Sequence, residues 1–111
     1  MLRFRLKPAI WIEALRRRAE AQGAYVMVLQ KGDQDGGSVS LIVEKSLQDS
    51  ALYTAQTQMD GTRAWHCENG LSAYDLRKRI TSLKRMDQDM WIIEITNSNG
   101  QNFLDEPILD A

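Results

Sequence analysis

The sequence predicts an α+β fold, in which two helices pack on a mostly antiparallel sheet of about five or six strands. Two segments repeat apolar residues at the three- and four-residue intervals of an amphipathic helix. Several shorter segments are β-branched and apolar, which favours strands, and turn residues separate them in pairs typical of hairpins. The predicted order of elements is αββββαββ.

The first helix is predicted over residues 8–22. Pro8 suits a first helical turn, where its missing N–H costs nothing. Gly23 can adopt the left-handed conformation that commonly ends a helix. The apolar stripe between them consists of Trp11, Ile12, Leu15 and Ala19. This spacing turns one side of the helix toward a core.

Residues 24–31 and 38–45 are the first two predicted strands. The first is apolar and too short for a helix, so we expect it to be largely buried. Residues 32–37, with the sequence GDQDGG, are rich in turn-forming residues. We interpret them as the turn of a hairpin that joins the two strands.

Residues 51–59 and 62–68 form the clearest predicted hairpin. An Asp-Gly pair lies between them, and it accepts the positive φ angles of a tight two-residue turn. A turn of that length places Gln56 opposite Trp65.

The second helix is predicted over residues 72–87. Ser72 and Asp75 match a capping box, with Asp in place of the usual Glu or Gln. Its apolar stripe is Leu76, Ile80 and Leu83. We expect both helices to cover the same face of the sheet.

Residues 89–98 are predicted to form a strand that is apolar on both faces, which suits a central position. One face carries Trp91, Ile93 and Ile95, and the other carries Met90, Ile92 and Glu94. We expect Trp91 to be a core anchor that packs near Trp11 or Leu15 of the first helix. After an Asn-Gly turn, residues 101–104 could pair back as a last strand.

The composition is that of an ordinary globular protein, with 43% hydrophobic and 26% charged residues among 111. We expect a single domain over residues 1–111, with about the last six residues frayed. The net charge of −1 gives no general attraction to nucleic acid or membranes. The longest apolar run is far shorter than the about 20 residues of a membrane helix. One cysteine allows no intrachain disulfide, which favours the cytoplasm.

Two segments resemble a bacterial family known as domain of unknown function 1491. In residues 9–41, a tryptophan, an arginine-rich helix end and a glycine precede a strand, Gly-Asp and a second strand. Residues 85–95 follow the family's second pattern, although Gln88 stands where proline is expected. Its matching positions are Arg85, Asp87, Asp89, Trp91 and Glu94. The resemblance implies one small intact domain and no established activity.

The carboxylates of this second segment invite comparison with a metal site, because Mg²⁺ and Ca²⁺ prefer oxygen ligands. In an extended strand, however, Glu94 lies about 15 Å from Asp89, at about 3.3 Å per residue. We therefore expect a structural role, with Asp87 closing the helix in a turn. Glu94 could pair with a helix arginine such as Arg85 or Arg18. We expect no metal and no cofactor.

His66 and Cys67 are the only histidine and the only cysteine of the chain. Adjacent strand residues point to opposite faces, so the two side chains cannot easily share a metal or a catalytic step. We expect a packing cysteine beside a half-exposed histidine.

Eleven of the fourteen Lys and Arg residues lie on or beside the two predicted helices. If both helices cover one face, that face is basic and the rest of the surface is acidic. Its candidate binding residues are Arg16, Arg17, Lys78, Lys84 and Arg85. Alternatively, these side chains only solvate the helices, their stems covering apolar neighbours.

The function predicted from this asymmetry is binding, with a protein partner or a second copy docking on the basic two-helix face. A second hypothesis is that the same face binds nucleic acid phosphates, although no nucleic-acid motif supports it. An enzyme is less favoured, because Asp87, Asp89 and Glu94 do not converge in an extended strand.

Overall fold

A computed structural model describes residues 7–109, which form two helices and five strands. Numbered in chain order, they are α1 (Pro8–Ala21), β1 (Tyr25–Gln30), β2 (Val39–Ser46), β3 (Asp49–Thr57), β4 (Arg63–Leu71), α2 (Ala73–Met86) and β5 (Trp91–Thr96). The predicted α+β class and the mostly antiparallel sheet are confirmed. The order is αββββαβ, because residues 101–104 do not form a strand.

β5 lies inside the sheet, whose strand order is β1-β5-β2-β3-β4. It pairs antiparallel with β1 and parallel with β2. The predicted hairpin between β1 and β2 is therefore wrong, because β5 inserts between them. Four of the six residues of β5 are buried, and they lie on both faces of the strand, which requires an interior position. The predicted central position of this strand is confirmed.

β1 is an edge strand, not the largely buried strand that its apolar sequence led us to expect. Tyr25, Met27 and Val28 are 67%, 46% and 45% exposed, whereas Val26 is buried. The register with β5 shifts between Val28 and Gln30, which marks a bulge. The same residue types suit edge and interior strands, so composition does not reveal which position a strand takes.

α1 and α2 pack on opposite faces of the sheet, so the expectation that they share a face is wrong. From β5, Trp91, Ile93 and Ile95 join a core with α1, while Ile92 and the preceding residue Met90 join a second core with α2. This alternation was predicted and is confirmed. A strand that is apolar on both sides needs cover on both sides, and each helix supplies one layer. Neither described helix is long and apolar enough to cross a membrane.

Trp91 anchors the core on the α1 side, as predicted. It is 5% exposed and lies in one cluster with Trp11 and Leu15 of α1. At the start of α2, the capping prediction also holds, since the Ser72 side chain accepts a hydrogen bond from the Asp75 amide at 3.2 Å.

The hairpin of β3 and β4 forms at the Asp-Gly signal, but its turn is longer than predicted. Ala55, rather than Gln56, pairs with Trp65, so the register differs by one residue. Gly61 has a φ of 87°, and a left-handed residue of this kind closes the three-residue loops of many hairpins.

The C-terminal segment pairs with β4 in the described part of the chain, which ends at residue 109. The Trp65 amide donates to the Pro107 carbonyl at 2.9 Å, and the Leu109 amide donates to the Trp65 carbonyl at 2.8 Å. The indole nitrogen of Trp65 donates to the Glu106 carboxylate at 3.0 Å. The indole N–H of a buried tryptophan usually has a hydrogen-bond acceptor. The bond to Glu106 therefore helps to hold the C-terminal segment against β4. Residues 110 and 111 lie outside the described range.

Candidate functional site

The acidic segment after α2 is built as a turn. Asp87 caps the end of α2, and its carboxylate accepts a hydrogen bond from the Asp89 amide at 2.9 Å. Glu94 lies further along, on β5. Among residues 7–109, no three side chains of His, Cys, Asp or Glu come together as metal ligands. The turn gives Asp87 a backbone partner, which is the structural role that the sequence predicted for it.

The loop of residues 32–37 packs on the backbone of Asp89. The sequence analysis interpreted this loop as a hairpin turn and did not predict the contact. A Cβ added to Gly32 or Gly37 would lie 2.3 Å from the Asp89 carbonyl oxygen. That oxygen accepts a hydrogen bond from the Asp33 amide at 3.0 Å. The Asp33 carbonyl in turn accepts one from the indole of Trp91 at 2.8 Å. The two segments that carry the family resemblance therefore meet here. Gly32 and Gly37 are required because the backbone of the loop lies too close to the Asp89 carbonyl to leave room for a side chain.

Glu94 is half-buried on the face of the sheet that α2 covers. Burial, and then the nearby Glu44 carboxylate, raise the pKa of Glu94 above its ordinary value. Neither predicted arginine partner reaches it. Arg18 lies on α1, across the sheet, and donates to the Phe103 carbonyl at 3.1 Å. Within residues 7–109, Arg85 and Glu94 form no ion pair.

The single basic face expected from the sequence does not exist, because α1 and α2 lie on opposite faces of the sheet. The basic side chains of α1 are also largely neutralised within the helix. Arg16 pairs with Glu20 at 3.3 Å and Arg17 with Glu13 at 3.6 Å, each one helical turn away. The surface of α1 is therefore a mixed-charge surface.

The outer surface of α2 keeps its positive charge. We call four of its side chains the basic stripe: Arg77, Lys78, Lys84 and Arg85. In the part of the chain that the structure describes, none of the four pairs with a carboxylate. Lys78 lies over the Tyr74 ring, 4.8 Å from its centroid. Tyr74, Arg77, Lys78 and Thr81 line a shallow depression on this surface.

The fifth basic residue of α2 fixes how the helix is rotated. Arg79 donates to the carboxylate of Glu68 on β4 at 3.0 Å. Residues Arg77 and Lys84 therefore lie on the opposite flank, since they are separated from Arg79 by about half a helical turn around the axis. The basic stripe is thus turned outward and away from β4.

His66 and Cys67 do not form a joint site. The ring of His66 contacts the Gln56 side-chain oxygen at 2.5 Å, whereas Cys67 packs against the core on the α1 side. The Cys67 thiol donates to the side chain of Asn69 at 3.3 Å. The predicted division between the two sheet faces accounts for this separation.

A cluster of aromatic and basic side chains was missed by the sequence analysis. The Trp11 and Trp65 rings stack with centroids 5.6 Å apart, and the guanidinium of Arg63 lies 4.9 Å from the centroid of Trp11. Glu106 completes the group through its hydrogen bond with Trp65. These contacts hold α1 and the C-terminal segment on β4, so the cluster is part of the core. The residues are too far apart in sequence for any local pattern to signal them.

Comparison with known proteins agrees with the resemblance noted in the sequence. The model of the family described as "Protein of unknown function (DUF1491)" matches residues 6–105. No curated protein matches the chain.

Three solved structures share the fold over nearly the whole chain. A crystal structure of a DUF1491 family protein from Caulobacter crescentus CB15 is 35% identical, with a TM-score of 0.85, and the match covers 94% of this chain and 99% of that one. An NMR structure of a DUF1491 family protein from the same organism is 33% identical, with a TM-score of 0.85 and coverages of 96% and 98%. The solution structure of protein Atu0922 from A. tumefaciens, a structural genomics target, is 23% identical, with a TM-score of 0.79 and coverages of 97% and 98%. This last likeness bears on the fold alone.

Proposed function

We propose that this chain, which belongs to the DUF1491 family of proteins of unknown function, acts by binding an acidic protein partner on the outer surface of α2. The proposal narrows the expected two-helix face to one helix. We also propose that it acts in the bacterial cytoplasm, because its one cysteine is free and its named relatives come from bacteria.

The observation that carries the proposal is the uncompensated charge of the basic stripe. α2 contains five basic residues and one acidic residue, Asp75, and only Arg79 among the five is paired with a carboxylate of the described chain. Charges that find no partner within their own molecule remain available to an external one. By contrast, the arginines of α1 already have glutamates one turn away.

An acidic protein suits this surface better than nucleic acid does. The stripe runs from Arg77 to Arg85, about 12 Å along the helix axis at about 1.5 Å per residue. That length presents few contacts to a phosphate backbone, whose binding grows with the number of phosphates neutralised. The net charge of the whole chain is −1, which opposes general attraction to RNA or DNA. Tyr74 beside the cations adds an apolar contact of the kind enriched in protein interfaces.

The test uses poly-L-glutamate as a defined acidic probe and an unlabelled RNA oligonucleotide of equal charge for comparison. The charge-reversed variant is Arg77→Glu with Lys84→Glu. Its matched control is Lys31→Glu with Lys45→Glu, which has the same net charge but leaves α2 intact. Binding is followed by fluorescence anisotropy with the labelled protein held at low concentration.

We expect the α2 variant to bind poly-L-glutamate at least about tenfold more weakly. Each of the two lost charge contacts contributes about 0.5–1 kcal/mol, and the repulsion introduced by each glutamate weakens binding by about as much again. The control should bind as the wild type does. Equal losses in both variants would show that net charge, not α2, governs binding, and would contradict the proposal. Tighter binding of RNA than of poly-L-glutamate would favour the nucleic-acid alternative instead.

A further inference from the structure

α2 crosses its face of the sheet diagonally, from the turn between β2 and β3 to the end of β1. Near its start, the Ala73 amide donates to the Leu47 carbonyl in the turn between β2 and β3 at 3.2 Å. At its end, the Asp87 carbonyl accepts a hydrogen bond from the Gln30 side chain of β1 at 3.3 Å. The corner formed by the start of β1, the end of β5 and the end of β2 therefore lies beside the helix.

This corner combines apolar and acidic side chains. Pairing between the strands places Tyr25 opposite Thr96, and Thr96 opposite Glu44. The next row toward α2 contains Met27 and Glu94, which are also paired across β1 and β5. We call Tyr25, Met27, Glu44, Glu94 and Thr96 the acidic corner. Its two β1 side chains are largely exposed.

The two carboxylates of this corner lack a basic partner in the described part of the chain. Glu44 and Glu94 form no ion pair within residues 7–109. Burial and the mutual repulsion of the two carboxylates raise the pKa of Glu94, so its ionised form lacks a compensating charge. An approaching cation would relieve both effects.

We propose that the acidic corner binds the basic stripe of a second copy of this chain, in a symmetric dimer that uses two such contacts. This inference rests on the proposed function, because it names a second copy as the acidic partner of α2. Each chain carries both surfaces, and both lie on the α2 face of the sheet. Two chains related by a two-fold axis can therefore exchange the same contact in both directions, which is how closed dimers form.

The shapes and chemistries of the two surfaces match. Three neighbouring strands span about 10 Å, which is about the diameter of one helix. Tyr74 of the stripe's helix is largely exposed and offers an aromatic ring to Tyr25 and Met27 of the other chain. The four cations of the stripe meet the two carboxylates of the corner. Such contacts are stronger where apolar neighbours exclude water than on an open surface.

The experiment is a charge exchange followed by sedimentation velocity. The first variant is Glu44→Lys, and the second is Arg77→Glu with Lys84→Glu. In either variant alone, like charges face each other at both contacts, so we expect association to weaken at least tenfold relative to the wild type. In an equal mixture of the two, opposite charges face each other at both contacts, so dimers should return. Circular dichroism checks that each variant folds.

The control mixture combines labelled Glu44→Lys with unlabelled Lys31→Glu, Lys45→Glu, which forms its own dimers. The labelled chain should enter dimers less than in the exchange mixture, because like charges still face each other at one of its two contacts. A wild type that stays monomeric up to about millimolar concentration, far above the dissociation constants of most specific interfaces, would overturn the proposal. So would a dimer whose formation the exchange does not restore. A monomer that binds poly-L-lysine, and loses it on Glu44→Gln, would assign the corner to a different basic protein.

A separate measurement distinguishes failure of the dimer proposal from failure of the proposed binding of acidic partners by α2. The Glu44→Gln variant keeps the basic stripe, so its binding of poly-L-glutamate reports on α2 alone. If this binding persists while no dimer forms in the wild type, the dimer proposal is wrong and the proposed function stands. If poly-L-glutamate does not bind α2 at all, the proposed function fails, and the dimer proposal fails with it.

Discussion

The indole nitrogen of Trp91 donates a hydrogen bond to the carbonyl oxygen of Asp33, 2.8 Å away. This bond joins the core anchor of β5 to the loop of residues 32–37, which is remote in sequence. In the same loop, the Asp33 amide donates a hydrogen bond to the Asp89 carbonyl at 3.0 Å. The position of the interior strand is therefore fixed at its first residues by backbone contacts as well as by packing.

Replacement of Trp91 separates packing from hydrogen bonding. Trp91→Ala should lower the free energy of unfolding by about 3–5 kcal/mol, because it opens a cavity beside α1. Trp91→Phe keeps most of the apolar contact but leaves the Asp33 carbonyl without its donor, so a smaller loss of about 1–3 kcal/mol is expected. Urea denaturation measures both values. Equal losses would show that the hydrogen bond, not the packing, dominates.

The glycines of the loop provide a test with an internal control. Gly32→Ala and Gly37→Ala each place a methyl group against the Asp89 carbonyl, and backbone shifts of this kind cost about 1–3 kcal/mol. At Gly36, the nearest atom to a new Cβ is 3.9 Å away, so Gly36→Ala should be neutral or should stabilise by up to about 1 kcal/mol. Thermal unfolding of the three variants checks this order. A destabilised Gly36→Ala would contradict the close-approach argument.

The sequence predicted features that depend on neighbouring residues. The helical stripes, the cap at Ser72, the Asp-Gly hairpin and the two-faced pattern of β5 all appear in the structure. Each arises from side chains within one or two turns of chain, where spacing alone determines which face is apolar. For the acidic segment, the same local reasoning gave Asp87 a turn-forming role.

Long-range pairing was not predictable in this way. β5 forms its parallel ladder with β2 only after α2 has carried the chain back along the sheet, and no local signal names that partner. The α+β class with a mostly antiparallel sheet led us to expect both helices on one face, and the expected basic face followed from that placement. The error in the candidate site is thus a consequence of the error in topology.

Asp87→Asn tests whether the acidic segment is a turn or a metal site. The carboxylate of Asp87 accepts a hydrogen bond from the Asp89 amide, and an amide oxygen can replace it. We therefore expect a loss of about 1 kcal/mol or less. Millimolar Mg²⁺ or Ca²⁺ should leave the Tm of the wild type unchanged. A rise in Tm with either ion, abolished by Asp87→Asn or Asp89→Asn, would show that a metal site exists.

Glu94→Gln should make the chain more stable at neutral pH, because burial raises the pKa of Glu94 in the folded state. A raised pKa means that folding favours the protonated carboxyl. Its stabilising contribution is fully present below the unfolded pKa, about 4.3, and is lost as the pH rises through the higher folded pKa. Glutamine stays neutral throughout. The gain in Tm over the wild type should therefore be small near pH 3 and should grow as the pH rises toward about 7.

The matched control for this prediction is Glu20→Gln, which removes an exposed carboxylate that pairs with Arg16 at 3.3 Å. Its loss should slightly lower the Tm at neutral pH, which is the opposite sign, because a surface ion pair contributes about 0–1 kcal/mol. Both variants are compared with the wild type by thermal unfolding at protein concentrations low enough to keep the chains monomeric. A gain for Glu94→Gln that does not change with pH would show that the ionisation of Glu94 does not oppose folding.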